Sequence, residues 1–505
     1  MQLSKLNKMK QNIFKKILYT GLISAGVLAF HACSEDYLDL KPEGRPTTGE
    51  VAIGGFEAQA FGLYSSLRST GGVSDFNYVW THIIRADDSE KGSLPTDAAT
   101  NGNVFDKFQY SATNGTIGSA WNSHYKIIFD CNELINDAEA SGDKTSGTLT
   151  NIAEAKAIRA FCYFELRRDF GEVPVILKSI DDPKDEIAPK NTVAEVDAQI
   201  EKDLTDAAAQ LPNQWPSVYL GRATKGLANT LLGKLYLYQK QWAKAQTKLT
   251  EVISSGNYQL SPSYDFEFTQ AGNNSKESIL EVQVTYDYAT KYYNNFWESQ
   301  GVRGSGIWDL GWGFNVPSVE LVNAYEPNDL RKKTTILVSG KPDIYNTPNL
   351  VLPDGPNDPK PVLAQQYWNG KAYTKPEERA KYNTTKNWWE SIKLIRYADV
   401  ILMAAEAANE LGNTATAATY VNMIRNRAGL PNTTALNQID MRNAIKHERR
   451  IEFALEFERF YDLVRWGDAV TVLANKGYQD RNKYFPIPQS AIDKSQGVLK
   501  QNPDY

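Results

Sequence analysis

The sequence predicts a mostly α-helical protein: a scaffold of tetratricopeptide-like helical hairpins with a loop-rich lobe inserted before the last hairpin. Three observations predict it. Apolar residues recur at three- and four-residue steps in several long segments, as they do on one face of a helix. Leu232-Gly233-x-x-Tyr236, followed by Ala245 and Leu249, matches the spacing of a tetratricopeptide hairpin, and Ala405, Ala417 and Val421 repeat it more loosely. Between these two units, residues 257–393 are rich in Gly, Pro, Asn and aromatic residues and have few periodic runs. A loop-rich stretch of that length is functional or a lobe of its own.

In chain order, residues 1–32 read as an export signal. A lysine-bearing start is followed by an apolar run from Ile17 to Phe30, then Ala32 and Cys33. The run is too short for a typical membrane-spanning helix. Cys33 after a small residue is expected to be the lipidated N-terminus; a plain secretory signal with an ordinary Cys33 thiol is the alternative. Residues 34–52 are polar and turn-rich, as in an extended tether. Ile53 to Leu67 has helical spacing. The segment 69–115 is loop-rich and carries Tyr78, Trp80, Arg85, Asp87 and Asp88. Trp121 to Ala138 is helical again.

The most organised stretch is Ala153 to Ile176. Ile152, Ala155, Ile158, Phe161, Cys162 and Leu166 share one helical face, with Glu154, Lys156, Arg167 and Arg168 mostly on the other. Gly171 and Pro174 end the helix. Thr192 to Leu211 follows, with Thr192 as N-cap and Pro212 as stop. In the hairpin from Ala223 to Gly256, Gly233 and Ala245 lack bulk, which lets the two helices approach. Ser278 to Val284 alternates like a short strand, and Asp440 to Gly467 returns to helix. Cys131 and Cys162 fall on apolar helix faces and read as buried free thiols, so burial and not disulfides must hold the fold. The expected organisation is thus 1–32 signal peptide, 33–256 helical repeat part with its loop 69–115, 257–393 inserted loop-rich lobe expected to bind ligand, and 394–505 closing helical repeat.

The chain carries a net charge of −5, and removal of the five lysines before Cys33 leaves the remainder at −10. That argues against a nucleic-acid partner, whose affinity rests on phosphate neutralisation by Lys and Arg. No metal-ligand spacing appears, and no nucleophile elbow, P-loop or dinucleotide fingerprint, so neither a metal nor a cofactor is expected. Asp87, Asp88, Glu298 and Asp309 are the carboxylates from which a glycosidase pair could be drawn; solvated or capping roles are the simpler reading. The charges of 448–465 lie at i, i+3 and i+4 and read as ion pairs stitching that helix to its neighbours.

The positive signal is aromatic. Nine of the 29 residues from Tyr286 to Phe314 are aromatic, against 11% for the whole chain, and they sit among glycines rather than on a helical stripe. Flat rings with a polar edge suit sugars, whose C–H faces stack on the ring while hydroxyls bond nearby polar side chains. The expected ligand contacts are Tyr286, Tyr288, Trp297, Arg303, Trp308 and Trp312, with Trp80, Arg85 and Asp87 from the earlier loop. Trp308 and Trp312 are favoured because flanking glycines leave room for an open ring. Tyr367-Trp368 and Trp388-Trp389 are weaker candidates. Half or more of the rings in 286–314 are expected to form the lobe's own core.

Several of these stretches together resemble one family. The run E-A-x-x-x-R-A-F-x-Y-F-x-L-x-x-x-F-G-x-V-P from Glu154, the residues Glu448, Arg449, Glu452, Glu456, Arg459, Asp462, Leu463, Arg465 and Trp466, the Tyr484–Pro488 motif and the terminal Gln501–Tyr505 resemble the SusD/RagB family of surface nutrient-binding lipoproteins of Bacteroidetes. Phe457 and Asp504 stand where that family commonly has glycine. The acidic Ser34-Glu35-Asp36 after Cys33 is similar to the tag that directs such lipoproteins to the outer face. The resemblance implies a SusD-like fold and a non-catalytic protein. It would be lipid-anchored on the outer membrane, facing the cell exterior, and would capture an oligosaccharide for a SusC-like TonB-dependent transporter. A peptide-binding RagB-like member and a surface glycosidase are the competing readings.

Overall fold

A computed structural model of the chain describes residues 56–68, 74–180, 182–286, 295–347, 351–352 and 366–505. The expected signal segment and tether, Cys33 and Tyr288 lie outside the described residues.

Ten helices build the scaffold. They are α1 (Glu57–Arg68), α2 (Gly115–Ser141), α3 (Ser146–Phe170), α4 (Val193–Gln210), α5 (Lys225–Tyr238), α6 (Trp242–Ser254), α7 (Tyr397–Glu410), α8 (Thr414–Arg427), α9 (Gln438–Glu452) and α10 (Arg459–Trp466). Each helix from α2 to α8 packs on the next, as in a solenoid of helical hairpins. The stacking continues from α6 to α7, although about 140 residues separate them in sequence. The loop-rich segment is therefore looped out between two helices that are neighbours in space.

Local sequence accounts for the helix ends. Thr192 caps α4 through a capping box with Glu195, which satisfies two otherwise orphaned N–H groups. Asn114 caps α2, and Gly142 ends it in the left-handed region. The hairpin α5–α6 is close-packed at the expected glycine. A Cβ on Gly233 would fall 2.6 Å from Leu249 Cγ, and Leu249 and Ala245 are fully buried. Ala405, Ala417 and Val421 form the matching core between α7 and α8. Cys131 and Cys162 are buried free thiols, their pKa values pushed up by burial.

Two helical readings are corrected. Helix α3 begins at Ser146, earlier than the sequence suggested, and has no solvated face to speak of: Glu154, Arg159, Glu165, Arg168 and Asp169 are all buried. They are accommodated by pairing: Glu154 with Arg222, Arg159 with Asp203, and Arg168 with Glu165 and Glu458. The 440–467 stretch is two helices, not one. Between α9 and α10 the chain turns at Leu455, whose φ is +63°. Phe457 is buried in that turn against Tyr78 and Phe296, so the ring takes up space under the lobe.

The expected ion-pair stitching is present. Arg396 bonds Glu277, Glu452 and Glu456, and Arg427 bonds Glu277 and Glu452, all with little exposure. Arg331 adds Asp329 and Glu448.

Three two-stranded antiparallel ladders tie the lobe down. They are β1 (Ser89–Gly92) with β3 (Phe314–Pro317), β2 (Ser278–Val282) with β6 (Ile392–Arg396), and β4 (Ile336–Val338) with β5 (Tyr367–Asn369). The lobe has a small core of its own, which includes Val302, Trp308, Leu310, Trp368 and Tyr373.

Candidate functional site

The ladder geometry decides which aromatics meet. Because Val282 pairs with Ile392, the chain leaving β2 and the chain entering β6 run side by side, which brings Tyr286 against Trp388, ring centroids 5.5 Å apart. Tyr382 joins from the short helix Pro376–Tyr382, 5.8 Å from Tyr286, and stacks on Trp389 at 4.7 Å. On the other side, pairing of Gly92 with Phe314 draws the 74–83 segment beneath Trp312, and Phe76 meets the Trp312 ring edge-on at 5.4 Å.

Glu298 joins the two halves. It lies on the short helix Phe296–Gln300. Trp388 donates its Nε1–H to the Glu298 carboxylate at 2.8 Å, and Trp312 donates its backbone N–H to the Glu298 carbonyl at 2.9 Å. Lys386 bonds Asp309 at 2.5 Å. Tyr286, Trp312, Tyr382 and Trp388 are all half-buried. The result is a partly exposed aromatic surface tied through Glu298, with the Asp309–Lys386 pair in the same lobe. Such a surface can stack an apolar face and bond a polar edge without a metal or a cofactor.

The expected contacts divide sharply. Trp312 and Tyr286 stand on this surface. Trp80 is fully buried, edge-on to Phe314 at 4.8 Å. Arg85 is fully buried between the rings of Phe460 and Phe485, about 4 Å from each, and bonds Asp169 and Tyr461. Asp87 takes both nitrogens of Arg459 at 2.8 Å; burial raises its pKa, but the arginines Arg459 and Arg450 outweigh this and hold it low. Trp297 is buried with its Nε1–H on the Ser391 carbonyl. Trp308 is buried, stacked near Tyr373 in the lobe core. Arg303 is half-buried and bound to Ser93 and Asp97. Trp80, Arg85, Asp87, Trp297 and Trp308 therefore serve the core and its ion pairs, contrary to expectation.

The glycines explain the error over Trp308. A Cβ on Gly301 would meet the Leu310 carbonyl at 2.6 Å, and Gly311 is equally confined by the Glu298 carbonyl. Gly313 N–H bonds Gly301 O at 2.9 Å. These glycines let two backbone segments touch, and two of them flank Trp312, whose side chain stays half-buried; beside Trp308, a Cβ on Gly304 would fall 2.9 Å from the Trp308 side chain, so glycine there admits the ring to the lobe core and does not open it to solvent. Sequence reasoning ranked Trp388 low and missed Tyr382 and Phe76. Tyr382 closes a polar helix and offers no pattern of its own; Trp388 and Trp389 form a doublet of which one ring is buried and one is not.

The four carboxylates that the sequence offered for a glycosidase pair are each engaged by a neighbouring side chain. Asp87 and Asp88 lie on Arg450 and Arg459, Glu298 holds Trp388, and Asp309 holds Lys386.

Fold and site together define a tetratricopeptide-like solenoid with an inserted aromatic lobe. Comparison with known proteins places it further. The model of the SusD family matches residues 276–482, and one described as "Starch-binding associating with outer membrane" matches residues 71–237. The chain belongs to the SusD family. It is 26% identical over 481 residues to SusD-like protein P2 of Formosa agariphila, covering 89% of this chain and 92% of that protein. It is 26% identical over 491 residues to a SusD-like protein of Bacteroides ovatus, covering 88% and 82%. Among solved structures, a laminarin binding SusD-like protein matches with a TM-score of 0.74 and 29% identity, over 89% of this chain and 98% of that one. Surface glycan-binding protein A from Bacteroides thetaiotaomicron in complex with laminarihexaose shares the fold, with a TM-score of 0.73 and 23% identity over 88% and 98%.

Proposed function

We propose that the chain is a non-catalytic, glycan-binding lipoprotein of the outer-membrane surface. Cys33 carries the lipid anchor, and the loop-rich segment 257–393 is the ligand-binding lobe. In this reading the protein captures oligosaccharide outside the cell and passes it to a SusC-like TonB-dependent transporter. The observation that carries it is the aromatic surface of Trp312, Trp388, Tyr286 and Tyr382, held in place through Glu298. The likeness to a laminarin binding relative makes laminarin the first glycan to try. The carboxylates' structural engagements support a binding role over hydrolysis.

The contact set proposed is Trp312, Trp388, Tyr286 and Tyr382, with Arg303 and Asp309 at its margin; Tyr288, which lies outside the described residues, is kept as a candidate from its sequence alone. A glycan array run beside a peptide library tests the class of ligand. Binding of one or more neutral glycans without product release is expected. Selective peptide binding points instead to a RagB-like role, and release of shorter sugars refutes the non-catalytic reading.

A further inference from the structure

A second feature lies at the opposite end of β2. A cavity of about 350 Å3 opens where the connection between α4 and α5 meets the start of that strand, within the ~300–1,000 Å3 typical of ligand clefts. Its walls include Trp215, Tyr258 and Glu281, together with the amides of Asn213, Asn257 and Asn274.

Both rings are fixed. Trp215 donates its Nε1–H to the Ala223 carbonyl at 2.8 Å, and the Arg222 guanidinium lies 4.0 Å from its ring centre. Arg222 is itself bonded to Glu154 and Glu57, so its charge is neutralised on the protein side. Tyr258 bonds Thr224 Oγ1 at 2.7 Å and occupies space that any side chain at position 226 would fill; glycine there admits the ring. Glu281 is buried and accepts the Asn274 backbone N–H through both oxygens, at 3.0 and 3.1 Å. Asn274 has a φ of +53°.

We propose that this cavity is a second oligosaccharide subsite, taking one or two neutral sugar residues. The proposal rests on the glycan-binding reading above. Rings offer a surface for a C–H face, and the side-chain amides of Asn213 and Asn257 can each supply a donor and an acceptor to hydroxyls, whereas the Asn274 amide is paired in both directions with Gln283 and fixes the wall. Arg222 is taken up by Glu154 and Glu57, and Glu281 lies 3.9 Å from Lys393, so rings and amides rather than a bare charge dominate the wall, with Lys276 as its further cation. The position also fits a long chain. Ser278 on the cavity wall and Tyr286 on the aromatic surface are eight residues apart, which at ~3.3 Å per residue puts the two sites no more than about 26 Å apart along the strand direction.

The test uses the mature full chain titrated with laminarihexaose, maltohexaose, cellohexaose and xylohexaose. Variants are Trp312→Ala/Trp388→Ala, and the same double variant carrying Trp215→Ala or Asn257→Ala, each checked for an unchanged melting transition. Asn257 is half-buried at the rim, so its truncation tests the site if Trp215→Ala fails to fold. The double variant is expected to keep weak binding of at least one hexasaccharide that the wild type binds. Either added substitution is expected to weaken that remainder by about fivefold or more. Complete loss in the double variant overturns the second subsite and leaves the aromatic surface standing. Residual binding that neither added substitution changes also overturns it. A wild type that binds none of the four overturns both this subsite and the neutral-glycan reading.

Discussion

The stacking of the solenoid can be tested at one atom. Gly233→Ala adds a single methyl group to α5. In an isolated helix that change stabilises by about 1 kcal/mol, because glycine loses the most backbone freedom on folding. Here the added Cβ falls 2.6 Å from Leu249 Cγ and 2.7 Å from Leu249 Cδ2. Leu249 is fully buried, so any shift of its side chain must displace other core groups. Inserting a methylene into a filled core costs about 1–3 kcal/mol. The overlap outweighs the propensity gain, and a net destabilisation of about 1–2 kcal/mol is expected. Gly233→Leu should cost more. A double-mutant cycle separates the terms: Leu249→Ala alone costs about 2–5 kcal/mol, but in the Gly233→Ala background the methyl occupies part of the cavity and the two effects should fall short of additive. Urea denaturation of the four proteins gives the numbers. If Gly233→Ala is more stable than the wild type, or the two changes add, the close approach of α5 and α6 is refuted.

Other expectations follow from the buried charges and the anchor. Arg396→Met leaves Glu277, Glu452 and Glu456 short of a partner and should cost about 3–5 kcal/mol in denaturant melts. Burial pushes the Glu390 carboxyl up to about 8, with Glu378 adding to it against the Asn387 hydrogen bond. Its folded pKa exceeds the unfolded value, so its stabilising contribution is full below about pH 4.5 and is lost as pH rises through about 8. Glu390→Gln should accordingly match the wild type near pH 5 and become relatively more stable by pH 9; a difference that does not grow over that range contradicts the burial argument. Cys33→Ala should release the protein from the membrane fraction, and surface-bound protein after that change would refute lipidation at Cys33.

Much of the fold was legible because its signals are local. The Thr192–Glu195 capping box, the Gly233 contact and the small residues Ala405 and Ala417 each act over a few residues, and each structure element stands where those residues put it. The polar side of α3 was misjudged because periodicity cannot tell a solvated charge from a buried, paired one. Arg159 and Glu154 find Asp203 and Arg222 some 44 and 68 positions away, a pairing only the tertiary fold supplies. The site was half legible for the same reason. An excess of aromatics marked the lobe, yet whether a ring lies in or out depends on ladder register and on backbone contacts such as Gly311 against Glu298. Trp80 and Trp312 both meet Phe314 edge-on, yet Trp80 is fully buried and Trp312 only half-buried.

The most direct test is isothermal titration of laminarin-derived oligosaccharides, or of whichever glycan the array selects, into single variants, with circular dichroism as folding control. One stacked indole is worth roughly 1–2 kcal/mol at about 25 cal/mol per Å2 of apolar surface removed from water, or about a tenfold to thirtyfold change in affinity. The account expects Trp312→Ala and Trp388→Ala each to weaken binding by about that factor, while Trp80→Phe, at a fully buried position, leaves affinity unchanged. Wild-type affinity in both Trp312→Ala and Trp388→Ala, or a loss confined to Trp80→Phe, would contradict it.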